Sequence, residues 1–367
     1  MVAFTAAQIP DIAGVVSTRR ARLRRGRVEA IALMGKPPGL QLALFDEPAD
    51  GPAAHPVLPA AADPHLQDIA RRLPAGIRLG TSSWHFPGWA TLVYDRPADE
   101  RVLAREGLAA YAQHPLLRCV GIDRTFYTLI PASEFRHYAE QVPVDFRFVV
   151  KAPMLCTATG MRGEPGAHAA ANPRFLDAAF AAERFVGPCL EGLGDKAGAV
   201  VFQFPPLGRA FTARPQAFAE RLQAFLSALP RGPLYAVELR DHLLMTPAYR
   251  DALAAAGAHH CLGLHPRMPV ASEQARETGL DHRGPLIVRW NLHAGFGYEQ
   301  AKARYAPFTR LVDEDIPNRV SLARLCLDAT TRGQPAFVIA NNKAEGSAPL
   351  TLIRLAERIV AHLPKRH

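Results

Sequence analysis

From Ile77 onward the chain alternates short β-rich runs with longer helical stretches, and this alternation constrains the fold more than any other feature. The runs are "IRLGTSSW" (77–84), "LRCVGID" (117–123), "FRFVVKAP" (146–153), "AVVFQFPP" (199–206), "LYAVELRD" (234–241), "HHCLGLHP" (259–266), "LIVRWNLH" (286–293) and "AFVIANN" (336–342). Helical spacing fills 102–113, 173–186, 214–229, 247–256 and 349–363 between and after them. Eight strands alternating with helices over about 290 residues predict an α/β fold, a single (β/α)8 TIM-like barrel. A doubly wound open sheet is the alternative. It usually carries a glycine-rich phosphate loop after its first strand, whereas here Gly80 runs into "TSSWHF".

Residues 1–75 read differently. "PPGLQLALFDEPADGPAAHPVLPAAADPH" is dense in Pro and Ala without a sustained period, so 1–75 is expected to be a flexible N-terminal arm and 76–367 the barrel. Residues 20–34 suit a basic helix, and Met34 is a second candidate start. The chain's 43 basic and 34 acidic residues give a net charge of +9, which favours anionic partners, either a small molecule or nucleic acid. Part of that excess sits in "RRARLRRGR" (19–27), with six Arg and no acid. Five cysteines without a C-x-x-C pair predict a reduced protein with no disulfide framework. With no signal-peptide pattern and no apolar run near the ~20 residues of a membrane span, the expected location is cytoplasmic, away from membranes.

Strand alternation then selects candidate site residues. One parity of each barrel strand points inward, where apolar side chains normally stack. Polar residues of that parity near a strand's C-terminal end mark the face where barrel enzymes do chemistry. Glu238 and Arg240 share one parity against Val237 and Leu239, and Arg289, Asn291 and His293 alternate with Val288, Trp290 and Leu292. Gln203 and Lys151 fall in the same pattern, while Asp123, His265, Asn341 and Asn342 end their strands and Glu345 follows in the loop. Lys151, Arg240 and Arg289 suit phosphate or carboxylate. Asp123, Glu238 and Glu345 suit general acid or base work, and His265 and His293 suit proton transfer or metal ligation. Buried Arg–Glu pairs also occur simply to satisfy one another.

Lys151 suits anion holding, a structural role or imine chemistry. Asp123, Glu238 and Lys151 are taken as the catalytic candidates. Substrate contacts are assigned to Ser82, Trp84, Trp89, Tyr127, Gln203, Arg240, His265, Arg289, Asn291, Asn341, Asn342 and Glu345. Trp84, Phe86 and Trp89, like Phe126 and Tyr127, either stack on a ligand or cap the barrel rim. No cofactor is expected. Scattered Asp, Glu and His at strand ends permit a divalent metal but form no compact ligand motif.

"GTSSWHFPGW", "IDRTFY", "FRFVVKAP", "GAVVFQFPP", "AVELRD" and "NNKAEGSAP" occur in this order and together resemble the domain of unknown function 72 (YecE-like) family. The resemblance runs from about Ile77 to the last helix and implies a (β/α)8 barrel. It implies hallmark residues at Gly80, Trp84, Trp89, Thr125, Phe126, Tyr127, Lys151, Gln203, Pro205, Glu238, Arg240, Asn341, Asn342, Glu345 and Gly346. The second and seventh strands depart from the family pattern, as Gly121–Ile122–Asp123 and Arg289–Trp290–Asn291–Leu292. The resemblance implies no reaction.

In the arm, "QLALF" (Gln41, Leu42, Leu44 and Phe45 among its residues) resembles the short peptides by which bacterial repair and replication proteins hold the sliding clamp. Leu44 and Phe45 would anchor in an apolar groove, with Gln41 bonding at its edge. Packing of the same residues on the barrel is the alternative. The functional expectation is therefore a barrel enzyme, a hydrolase or lyase, acting on a phosphorylated or nucleic-acid-related substrate and recruited through the arm. A non-catalytic binding barrel and a sugar-processing enzyme are the other readings.

Overall fold

The computed structural model describes residues 56–161, 170–280 and 282–363. Eight strands carry the architecture: β1 (Ile77–Thr81), β2 (Leu117–Ile122), β3 (Arg147–Lys151), β4 (Ala197–Gln203), β5 (Tyr235–Glu238), β6 (His259–Leu264), β7 (Leu286–Trp290) and β8 (Ala336–Ala340). Each pairs in parallel with the next, and β8 returns to pair with β1 from Ile77↔Ala336 to Thr81↔Ala340, closing the barrel. Helices follow every strand, ending with Ala348–Ala361 after β8. The (β/α)8 expectation holds.

Two apolar layers follow from the strand alternation. Cys119, Val149, Ala199, Val201, Ala236, Cys261, Ile287, Phe337 and Ile339 fill the barrel interior. The opposite parity, including Val120, Phe148, Val150, Phe202, Val237 and Val288, packs under the helices. Two positions up from the inner layer, the same parity reaches Asp123, Lys151, Gln203, Glu238 and Arg289. All five cysteines are buried and free. Among the described residues no helix is long and apolar enough to cross a membrane.

Two expectations need correction. The helix read over 173–186 begins at Ala178, capped by Asp177 accepting from the Phe180 N–H. It continues through a wider turn at Ala182–Val186 into Gly187–Leu193. Pro188 has no N–H and its ring crowds the carbonyl four residues earlier, which the wide turn accommodates.

The arm is also shorter than 1–75 on its C-terminal side. Val57 is buried, and Pro59 bridges to Tyr94. The helix Pro64–Arg72 packs against Ala348–Ala361 through Leu66, Ile69 and Ala70. Asp63 accepts from the Leu66 N–H at 2.7 Å, and Pro64 occupies the first turn. Apolar residues at 66, 69, 70 and 73 have helical spacing that the surrounding Ala and Pro obscured. The basic segment 20–34 and the peptide of Gln41, Leu42, Leu44 and Phe45 lie outside the described residues.

Candidate functional site

The C-terminal ends of β2, β3, β5 and β7 bring five charged side chains together. Glu238, fully buried at the end of β5, is the centre. Its Oε1 accepts from Arg240 Nη2 at 2.5 Å and from Asn291 Nδ2 at 3.0 Å, and its Oε2 accepts from Arg289 Nη1 at 2.8 Å. Arg289 reaches across the barrel, donating through Nη2 to Asp123 Oδ2 at 2.5 Å. Gly263 on β6 makes room for this cluster, since a Cβ there would lie 3.0 Å from the Glu238 Cγ.

Burial would raise the Glu238 carboxyl, but Arg240 and Arg289 together hold it below its ordinary value. Burial lowers the Arg240 guanidinium, with Glu238 opposing. Burial also works against Arg289, but Asp123 and Glu238 outweigh it and raise its pKa. Glu238 is thus an ionised carboxylate with both oxygens occupied. The expectation that it acts as a general acid or base is corrected: it orients two guanidiniums. Asp123 keeps 31% of its side chain exposed and engages Arg289 through one oxygen, so it is the accessible carboxylate of the pair.

Lys151 ends β3 with 8% exposure. Its Nζ stands 3.5 Å from the centre of the Phe126 ring. Among the described residues no carboxylate or hydrogen-bond acceptor reaches it. Burial, then Arg289, pull the amine down to about 7, with Asp123 and Glu238 opposing. The segment after β2 builds this environment. Asp123 lies beside the floor, Thr125 donates to the Lys151 carbonyl at 2.5 Å, and Phe126 covers the amine.

The remaining candidates divide between mouth and wall. Ser82 Oγ accepts from Asn341 Nδ2 at 2.9 Å at the β1–β8 ends. Gln203 pairs opposite Glu238 across β4 and β5. His265 stands over β6, and burial with Arg240 nearby lowers its imidazole to about 4, so it is neutral near pH 7. Tyr127 is 52% exposed.

Trp84, Trp89, Asn342 and Glu345 belong to the wall, a correction to their assignment as substrate contacts. Trp84 is buried with its N–H on the Ala104 carbonyl, and Trp89 gives its N–H to Asn342 Oδ1 at 3.2 Å. Asn342 Oδ1 also accepts from the Ala348 N–H, tying the β8 loop to the last helix. Glu345 is held by Arg319 at 2.7 Å and by the Asp315 N–H at 2.6 Å. His293 Nδ1 is taken by the Gly295 N–H. Among the described residues no three His, Cys, Asp or Glu side chains are grouped to hold a metal ion.

Two contributions were missed in the sequence. Gly263 carries no side chain to notice, and its role depends on a neighbour from another strand. Lys343 lies buried in the β8 loop with its Nζ 4.2 Å from the Tyr298 ring, and burial brings it down to about 8. Its signal was its place inside "NNKAEGSAP", directly after a strand end.

A cavity of about 50 Å³ opens beside Asp123 between the β1 and β2 ends, lined by Ser82, Trp84, Gly121 and Tyr138 among others. A larger one, about 220 Å³, lies at the start of β6 among His259, Arg250 and Arg283. That is the opposite end from the one where barrel enzymes place their chemistry.

A closed parallel barrel with a charged cluster at its C-terminal strand ends defines the class: a TIM-like α/β barrel with its candidate site at the usual face. The chain belongs to the DUF72 family, whose model, described as a protein of unknown function, matches residues 78–366. The solved DUF72 protein of Enterococcus faecalis V583 is 20% identical, with a TM-score of 0.51, over 79% of this chain and 99% of that one. The DUF72 protein of Thermotoga maritima MSB8 is 16% identical, with a TM-score of 0.49, over 77% and 98% of the two chains. No curated protein matches this chain.

Proposed function

We propose that this protein is an enzyme of the lyase or hydrolase kind, acting on a small anionic molecule, phosphorylated or nucleotide-derived, at the C-terminal mouth of the barrel. The observation that carries the reading is a charge imbalance. Three cations, Lys151, Arg240 and Arg289, share the floor with two carboxylates, Asp123 and Glu238, and the Lys151 amine has neither as a direct partner. Buried positive charge without a partner is costly. An anion entering the mouth would offset that cost. In this reading Arg240 and Arg289 orient the anion, Asp123 moves protons, and Lys151 stands at the reacting end. Ser82, Gln203, Asn291 and Asn341 offer neutral hydrogen bonds around it. Residues 41–45 would recruit the barrel to DNA through the sliding clamp.

The test compares ribose 5-phosphate with ribose. The phosphorylated sugar should bind saturably in calorimetry and raise the melting temperature by mass action, while ribose does neither. Equal responses, or none from either, would remove the anion site. The saturated Glu238 favours one second reading, a barrel that binds an anion and releases it unchanged. Phosphorus NMR of the bound mixture separates the two, since turnover of any ligand excludes the second. Sugar processing draws no support from Glu238, because a carboxylate already engaged by two arginines is poorly placed to attack or protonate.

A further inference from the structure

Two partly buried lysines of this chain show what a structural amine looks like and what Lys151 is not. Lys196 Nζ donates to the Ala139 and Val142 carbonyls at 2.6 and 2.7 Å, closing a loop. Lys151 Nζ has an aromatic face on one side, guanidiniums in its surroundings and no acceptor. An ammonium in that position is disfavoured by burial and by Arg289 and Arg240, and is relieved only at longer range by Asp123 and Glu238. A neutral amine with a free lone pair is what this setting favours, and a neutral amine is a nucleophile. The groups that an amine addition requires surround it. Asp123 is a partly exposed carboxylate, and Arg240 and Arg289 are cations fixed by Glu238.

We propose that Lys151 is an imine-forming nucleophile that takes up an aldehyde or ketone carrying a phosphate or carboxylate group. Imine chemistry here rests on the anion-site reading above, because the two arginines are what would orient the carbonyl. The Nζ lone pair forms a bond to the carbonyl carbon, and the carbonyl π pair moves to oxygen. Asp123 relays one amine proton to that oxygen, giving a carbinolamine. The second amine proton leaves with the hydroxyl group as water, and the nitrogen lone pair closes the C=N bond. One carbonyl compound and one amine thus give one imine and one water, with no change of oxidation state. Phe126, stacked over Nζ, then faces the iminium cation and keeps water from one side of it.

The full chain would be incubated at pH 7 with dihydroxyacetone phosphate, and separately with neutral dihydroxyacetone, and each mixture reduced with borohydride. Intact mass and peptide mapping then locate the adduct. The phosphorylated compound should mark Lys151 about tenfold more than any other lysine, Lys343 included, and about tenfold more than the neutral compound does. The yield at Lys151 should rise through pH 7, where surface lysines are still protonated. Lys151→Arg keeps the charge but cannot form the imine, so it should lose this adduct while still binding ribose 5-phosphate. Adducts spread equally over the lysines, or unchanged in Lys151→Arg, would overturn the assignment. Absence of an adduct in a protein that binds ribose 5-phosphate refutes the imine and leaves the anion site standing. Failure of both refutes the anion site itself.

Discussion

A lysine amine without a carboxylate partner affects stability as well as chemistry. Folding places Lys151 where its pKa is about 7, against 10.5 in the unfolded chain. Between those values the unfolded state binds the extra proton, so this residue makes stability rise with pH from about 7 to about 10.5. Below pH 7 both states are protonated, and the folded state carries the full cost. Lys151→Met removes it. The variant should therefore be more stable than the parent by a few kcal/mol at pH 6, an advantage that shrinks towards zero near pH 10. Urea titrations at the two pH values measure this. A constant difference would mean that the amine is not desolvated in the native state. The inward parity of Lys151, Gln203, Glu238 and Arg289 was legible from alternation alone. Partnership was not, because Asp123, Arg240 and Arg289 come from different strand ends and converge on one cluster only when the barrel closes.

At the scale of the strand, Gly80 decides how β1 and β2 meet. A Cβ at this position would stand 2.0 Å from the Cys119 carbonyl oxygen, which is main chain and cannot swing away. The β1–β2 register shifts between Leu79 and Gly80, at the same point. Gly80→Ala should cost about 3 kcal/mol or more, by forcing the two strands apart. Gly295→Ala, in an exposed loop with its nearest neighbour at 3.6 Å, should change stability by less than about 0.5 kcal/mol. Denaturant midpoints of the two variants test this, and a tolerated Ala at position 80 would show that the strands can separate there. The strands were legible in the sequence because both of their faces are buried, which leaves apolar runs of limited length. The helix after β3 was misplaced because its wide turn at Ala182–Val186 shifts the apolar period, and its continuation depends on Pro188.

On the scale of the whole molecule, the boundary between arm and barrel is the point to test. A (β/α)8 barrel needs nothing before its first strand, and the Pro- and Ala-rich composition up to residue 75 suggested only a tether. Yet Leu66, Ile69 and Leu73 are buried against the core that includes Leu352, Leu355 and Ile359 of the last helix. Two truncations separate tether from barrel. Removing residues 1–55 spares all of those contacts, so the melting temperature should not change. Removing 1–75 strips apolar cover from the last helix and should lower it substantially. Ile69→Ala alone should cost about 2–4 kcal/mol, the usual loss for a buried aliphatic side chain. The same pair of chains tests the docking peptide, because Gln41–Phe45 is absent from both while the barrel of the first is intact. Full-length protein should be retained by immobilised sliding clamp, and the chain lacking 1–55 should not. Phe45→Ala in the full chain should match the truncated one, since it removes a single aromatic anchor and leaves the length unchanged. Retention of the truncated chain at full strength would assign clamp binding to the barrel or to nothing specific, and the +9 charge would then be the first alternative to examine, by repeating the capture at higher salt.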